Sequence, residues 1–201
     1  MKAFFYSLIK SAVLLAAITI ICGITYTGIV TGIAQLFFNN KANGSLIEID
    51  GTKYGSQLLA QYYQDEKHMW GRMMVINTAA FAGTDGTALL YSFPTNANTT
   101  SQDYTRCLGN RVKRIKAFHP EMGDTKIPVD LVTCSASGLD PGISLAAAEY
   151  QVQRLARANH ITDDKVQSII DSCTTHKVLG VFGEDTVNVL KVNLMLDGML
   201  N

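Results

Sequence analysis

Hydropathy divides the chain in two. From Ser11 to Asn40 no residue is charged, and most are apolar: Ala12 to Ala17, Ile18, Ile20, Ile21, Ile24, Ile29, Val30, Ile33, Leu36, Phe37 and Phe38. About 20 apolar residues in a helix cross the hydrocarbon core of a bilayer, so this longer run spans with tilt or projects beyond it. Beyond Asn40 the pattern breaks into short periodic stretches separated by Gly, Pro, Asn and Ser. The expected organisation is an N-terminal segment (1–10), a transmembrane helix (11–38) and a folded domain (39–201).

Within the folded part, Ser45-Leu-Ile-Glu-Ile-Asp-Gly51 alternates and closes on Asp-Gly, which predicts a short strand and a turn. Gln57 to Tyr63 is expected to form a short helix. The stretch from Gly83 to Ser101, rich in Gly, Thr, Asn and Ser, is expected to be a long loop. From Ser101 to Phe118 the apolar positions Leu108, Val112, Ile115 and Phe118 recur every three or four residues, as on one face of a helix. Ile127-Pro-Val-Asp-Leu-Val-Thr133 reads as a strand, and Ser135 to Gly142 as a turn by composition. Ser144 should cap a helix through about Asn159 that carries Tyr150, Val152 and Leu155. Thr162 or Asp163 should cap the next, with Val166, Ile169 and Ile170. Val187 to Leu200 fits strand or helix by period, and its length favours helix. The fold class expected is an α+β domain anchored by one N-terminal transmembrane helix.

Charge adds orientation. Lys2 and Lys10 precede the apolar run with no acid near them, whereas Lys41 and Lys53 beyond it share their side with Glu48 and Asp50. The lysine bias places the N-terminus inside and the folded domain outside, an extracytoplasmic domain on the cytoplasmic membrane. A cleaved signal peptide is disfavoured, because apolarity continues well past a 7–15-residue core. Lys+Arg and Asp+Glu both number 17, and this neutrality gives no case for nucleic acid as a partner. Arg106, Arg111, Lys113, Arg114 and Lys116 decorate the helix from 101 to 118, and the expectation is a solvated face.

Inside the span, Gly28-Ile-Val-Thr-Gly32 puts two glycines four apart on one face, where another helix can approach closely. Thr27, Thr31 and Gln35 are polar groups that could bond to a partner helix or to interfacial water. Of the four cysteines, Cys22 lies in the apolar run, leaving Cys107, Cys134 and Cys173 outside it. An odd number argues against a complete disulfide framework, though one pair plus a free thiol stays open.

Chemistry-bearing motifs are sparse. No G-x-x-x-x-G-K-[ST] phosphate loop and no G-x-S-x-G elbow occurs. Ser135, Ser137, His119, His160, His176, Asp130 and Asp140 offer a triad only on paper, and Cys173-x-x-His176 lacks a second pair of metal ligands. No catalytic or metal site is therefore expected. Asp140, before Pro141, is expected to accept backbone hydrogen bonds in the turn and hold the following helix start. His68 beside Trp70 is expected to be an ordinary surface histidine.

Ile127-Pro-Val-Asp-Leu-Val-Thr-Cys-Ser-Ala-Ser-Gly-Leu-Asp-Pro-Gly-Ile-Ser144, followed by Ala146-Ala147 and Gln151-Val-Gln-Arg-Leu-Ala-Arg157, closely resembles the signature of the KdpC family, a component of the Kdp potassium-transporting ATPase. Thr31-Gly-Ile-Ala-Gln35 with Asn43-Gly-Ser-Leu-Ile47, and Phe182-Gly-Glu184 with Val187-Asn-Val-Leu190 and Asn193-Leu194, agree in order. The middle departs: Trp70-Gly-Arg-Met73 stands where the family has Arg-Pro after an aromatic, and Leu89-Leu-Tyr-Ser-Phe precedes Pro94-Thr95-Asn96.

The resemblance implies an accessory, non-catalytic subunit of a high-affinity potassium uptake pump. Its partners would be a channel-like potassium-binding subunit, a P-type ATPase subunit and membrane lipid. It singles out Asp130, Ser135, Ser137, Gly138, Asp140, Pro141, Gln151 and Arg154 as motif residues; Gly28, Thr31, Gly32 and Gln35 are helix-packing candidates from the pattern of the span itself. ATP enters only as a family proposal, in which the accessory chain raises the ATP affinity of the ATPase subunit. The chain itself has neither the Asp-Lys-Thr-Gly phosphorylation sequence nor a Thr-Val-Gly-Tyr-Gly filter. A membrane-tethered hydrolase is the third possibility.

Overall fold

The computed structural model describes residues 1–77, 83, 86 and 91–200. It contains two compact units, Met1–Leu46 and Ile47–Asn201. The first is dominated by one helix, α1 (Lys2–Phe37), apolar and long enough to cross a membrane. None of its large hydrophobic side chains is buried within the protein. A helix apolar on every side requires a bilayer or partner helices around it. Its middle, Thr19–Tyr26, widens to π-helical pairing, and the Thr27 hydroxyl donates to the Cys22 carbonyl at 3.1 Å. The helix also takes in residues 2–10, so the basic N-terminal segment continues the same rod. It ends at Phe38 and is followed by the single turn α2 (Asn39–Ala42).

Mixed helix and sheet make up the rest. Strands β1 (Leu46–Ile49) and β2 (Thr52–Ser56) pair across the Asp50-Gly51 turn, where both residues have positive φ. Strands β3 (Val75–Asn77) and β4 (Tyr91–Phe93) form a second, antiparallel pair. The expected loop of 83–101 therefore contains a strand at its middle, while residues 84, 85 and 87–90 lie outside the described residues. Helix α3 (Gln102–Phe118) begins as predicted, with the Ser101 hydroxyl accepting from the Tyr104 N–H. Helix α4 is one turn (Val129–Val132), followed by β5 (Gly142–Ser144), α5 (Leu145–Glu149), α6 (Val152–Asn159), α7 (Asp163–Ser172), β6 (Thr174–Thr175), β7 (Thr186–Asn188) and α8 (Val189–Leu196).

Two expectations fail for identifiable reasons, and two are refined. Gln57 to Tyr63 is not helical: Leu58 N–H is taken by the Ser56 hydroxyl and Ala60 N–H by the Leu139 carbonyl. The second displaces the intrahelical bond from Ala60 N–H to the Ser56 carbonyl, whereas the first alone would suit a helix N-cap. Ile127–Thr133 is not a strand. Leu131 is buried while Val129 is exposed, and the Thr133 hydroxyl returns to the Val129 carbonyl at 2.9 Å, closing a turn. The helix after Ser144 is interrupted at Tyr150–Gln151, where Gln151 N–H bonds to the Ala148 carbonyl and the Ala147 carbonyl accepts instead from the Gln151 side-chain amide. Finally, Val187 to Leu200 is both elements in sequence, strand β7 and then helix α8, joined where Asn188 caps Lys191 N–H.

The core lies where β5, β7 and β6, in that antiparallel order, meet α5 to α8. Ile143, Ala147, Leu155, Val166, Ile170, Val187 and Val192 fill it, with Trp70, Met69, Ile115 and Leu131 entering from outside that block. Burying each of these larger side chains is worth roughly 1.5–3 kcal/mol.

Candidate functional site

An irregular segment, Asp65 to Arg72, starts exposed and enters this core at Met69 and Trp70. Irregular backbone there must find side-chain partners, because unpaired buried N–H and C=O groups are costly. Two amide side chains supply them. Asn193, fully buried on α8, accepts from Met69 N–H at 2.6 Å and donates to the Met69 carbonyl at 3.0 Å. Gln151, also fully buried, accepts from Trp70 N–H at 2.8 Å and donates to the Trp70 carbonyl at 3.0 Å. Each amide thus imitates a neighbouring strand.

Arg154 extends the network. Its side chain is fully buried, yet every branch has a partner. Nη2 donates to Gln151 Oε1 at 2.8 Å, Nη1 to the Glu66 carbonyl, and Nε to His119 Nε2 at 2.9 Å. Its guanidinium lies 4.7 Å from the Trp70 ring centre. Burial pulls its pKa down to about 10, which leaves it charged at neutral pH. His119 must then be a neutral tautomer: Nδ1–H donates to the Ile115 carbonyl at 2.8 Å and Nε2 accepts from Arg154. Burial first, with the Arg154 charge also contributing, lowers the His119 pKa to about 4.

The motif loop is a second cluster. Asp130 accepts from Arg72 Nη1 at 2.7 Å and from Ser144 N–H at 2.9 Å. The carboxylate that holds the start of α5 is therefore Asp130, from fourteen residues upstream, not Asp140. Asp140 instead accepts from the Ser137 hydroxyl at 2.5 Å. The buried Ser135 hydroxyl accepts from Gly138 N–H at 2.9 Å and lies 3.3 Å from Ser137 Oγ. Gly138 is required by geometry: its φ is +74°, and a Cβ there would fall 2.4 Å from the Phe93 carbonyl carbon. Its carbonyl accepts from Ser92 Oγ at 2.7 Å, so the loop is fastened to β4. Pro141 and Asp140 line a shallow cleft of about 380 Å³ with Gln57, Asn188 and Lys191.

On α1, Gly28 and Gly32 have open space where a side chain would stand, and Thr31 is exposed. Gln35 is engaged locally: Oε1 accepts from Asn39 at 2.9 Å and from Asn43 at 3.0 Å, fixing the end of the helix. The sequence candidates thus fall into three places. Gln151 and Arg154 come together, as do Ser135, Ser137, Gly138 and Asp140, and the α1 residues lie in the other compact unit.

A match between the chain and the family model described as "KdpC: K+-transporting ATPase, c chain" covers residues 8–198. The chain belongs to the KdpC family. A potassium-transporting ATPase KdpC subunit of Clostridium botulinum (strain Eklund 17B / Type B) is 53% identical over 200 residues, covering 100% of both chains. One of Clostridium perfringens is 50% identical, covering 95% of this chain and 96% of its own. One of Paraburkholderia xenovorans is 39% identical, covering 99% and 98%.

The KdpC fold also contains polar features the sequence did not flag. Asn193 sits between Val192 and Leu194, all buried, and a lone amide in an apolar helix was the available signal. His68 is not an ordinary surface histidine. Nδ1 lies 2.8 Å from Asp65 Oδ2, and Nε2 lies 3.1 Å from Asp197 Oδ1, past the end of α8. Burial acts to lower its pKa, but the bonds to Asp65 and Asp197 prevail and hold it above 6.5. Arg111 and Arg114, expected on a solvated face, are half-buried and donate to the carbonyls of Leu131 at 2.8 Å and Gln64 at 3.0 Å. Cys107, Cys134 and Cys173 are all free thiols.

Proposed function

We propose that this chain is the single-span, non-catalytic accessory subunit of an ATP-driven potassium uptake pump. Its folded unit stands on the outer side of the cytoplasmic membrane. It assembles with and stabilises a channel-like potassium-binding subunit and a P-type ATPase subunit. The observation that carries this reading is the burial of Gln151 and Arg154, the motif's most polar pair after the loop. Their bonding capacity is spent inside the domain, on the backbone of Glu66, Trp70 and Ala147, on His119 and on each other, which suits a rigid assembly module rather than a site that meets substrate. Gly28 and Gly32, open on a helix with no internal partner, support close approach of a neighbouring membrane helix.

Replacing both glycines by leucine tests the reading. The double variant Gly28→Leu/Gly32→Leu is expected to lower recovery of the other subunits on an affinity-tagged chain severalfold, with the chain itself still inserted in the membrane. Undiminished recovery of the intact complex would refute assembly through this face. In the alternative, where this chain raises the ATP affinity of the ATPase subunit, the same burial supports an indirect, conformational route rather than contact of Gln151 or Arg154 with the nucleotide.

A further inference from the structure

The strongest unassigned feature is a cleft of about 240 Å³ between α3 and the segments around residues 61–64 and 71–74. Gln61, Tyr62, Arg72, Asn110, Arg111 and Arg114 line it. Three guanidinium groups meet there, and of them only Arg72 has a carboxylate partner, Asp130. Among the described residues no carboxylate lies within 4.0 Å of Arg111 or Arg114. Both are held in place by other means. Arg111 donates through Nε to the Leu131 carbonyl and through Nη2 to the Gly71 carbonyl at 3.4 Å, and Arg114 donates through Nη2 to the Gln64 carbonyl. Their guanidinium carbons sit 5.5 and 5.4 Å from the Trp70 ring centre. The indole and the carbonyls orient the two cations without neutralising them, and Nη1 of each has no acceptor among the described residues. Nε of Arg72 and of Arg114 is buried and likewise without an acceptor, which is uncommon for native polar groups.

We infer that this cleft binds a small phosphate-type oxyanion, through Arg111 and Arg114 with Asn110, Gln61 and the Tyr62 hydroxyl as neutral donors. Planar guanidinium forks match such oxyanions, and fixed cations set beside one another favour a ligand of more than one negative charge. The charge of Arg114, next after burial, also pulls the Arg111 pKa below its ordinary value, a like-charge strain that an anion would relieve. The volume is below the roughly 300–1,000 Å³ of pockets for drug-sized molecules, which favours a phosphate group over a whole nucleotide. The group can be free inorganic phosphate or part of a lipid headgroup. This site goes beyond the assembly role and does not depend on it.

The chain carries its own reporter, since Trp70 is the only tryptophan and contacts both arginines. The full-length chain in an uncharged detergent is titrated with inorganic phosphate, with sodium chloride at equal ionic strength as the control, and Trp70 emission is followed. A saturable change with phosphate and not with chloride is expected. It should weaken at least tenfold in Arg114→Gln and in Arg111→Gln, and stay unchanged in Lys113→Gln, on the exposed side of α3. Arg114→Lys, which keeps the charge, guards against a folding defect: it should retain part of the affinity with unaltered circular dichroism. Repeating the titration in nanodiscs identifies the source. Weaker apparent phosphate binding with phosphatidylglycerol than with phosphatidylcholine supports a headgroup as the ligand, and equal binding supports the free anion. The inference is overturned if chloride reproduces the phosphate response, if no saturable response occurs, or if Arg111→Gln and Arg114→Gln bind phosphate like wild type. A response confined to acetate or an acidic peptide would also overturn it, in favour of a protein carboxylate.

Discussion

Replacing Gln151 by methionine is the most direct test of what the motif does. Methionine matches glutamine in length and volume but offers neither of its amide groups. In the wild type the Gln151 amide satisfies Trp70 N–H, the Trp70 carbonyl and Arg154 Nη2, all buried. Orphaning a buried group costs about 1–3 kcal/mol. Three such groups, discounted for partial relaxation and for the better burial of methionine, give a loss of about 3–5 kcal/mol. For a domain of this size each kcal/mol lowers Tm by about 2–4 °C, so the expected drop is about 6–20 °C. Thermal or urea unfolding of the detergent-solubilised chain, followed by circular dichroism, measures it. Gln151→Glu should fall in between: it keeps the acceptor for Trp70 N–H and Arg154 but loses the donor to the Trp70 carbonyl. Arg154→Met should be strongly destabilising alone and less than additive with Gln151→Met, because both sit in one network. If Gln151→Met melted within about 3 °C of wild type, the structural reasoning would be wrong. If it also changed the ATP dependence of the assembled pump, a nucleotide-facing role for Gln151 would replace it.

Gly138→Ala should destabilise by about 2–5 kcal/mol, from a non-glycine residue at φ +74° and from displacement of the Phe93 backbone, and chemical denaturation measures it. His68 makes stability pH-dependent. Its folded pKa is raised, so its contribution is complete below the unfolded value of about 6.5 and is lost as pH rises through the folded value. Unfolding midpoints from about pH 6 to 9 should fall for this reason, and His68→Gln should flatten that fall. His119 acts in the opposite direction: with its pKa lowered to about 4, stability falls as pH drops from about 6.5 through 4, and titration below about pH 6 should show a loss that His119→Gln reduces. In intact cells an impermeant maleimide should label Cys107, which is exposed, and leave the 6%-exposed Cys173 untouched until denaturation. Cys107→Ser should remove most of the signal, whereas labelling of Cys107 only after lysis would refute an outer location.

The sequence by itself determined the features that depend on local periodicity and composition. An uncharged apolar run longer than a bilayer is thick can be read without any partner, and so can the helices capped by Ser101, Ser144 and Thr162, whose hydroxyls accept within their own first turns. The ordered motif residues pointed to the family. Tertiary structure decided what those residues do. Asp130 and Asp140 look equivalent along the chain, yet only Asp130 meets both Arg72 and the start of α5, through contacts 58 and 14 residues apart. Gln151 and Arg154 look like exposed helix polars until the helix breaks at Gln151 and both turn inward on a segment more than eighty residues upstream. Arg111 and Arg114 of α3 have the pattern of a solvated face, and only the fold brings them against Trp70 with no carboxylate within 4.0 Å among the described residues. The physical reason is the same in each case. Local bonds are fixed by neighbours in sequence, whereas a buried polar group is stable only where distant backbone arrives to satisfy it, and period and propensity carry no information about that arrival.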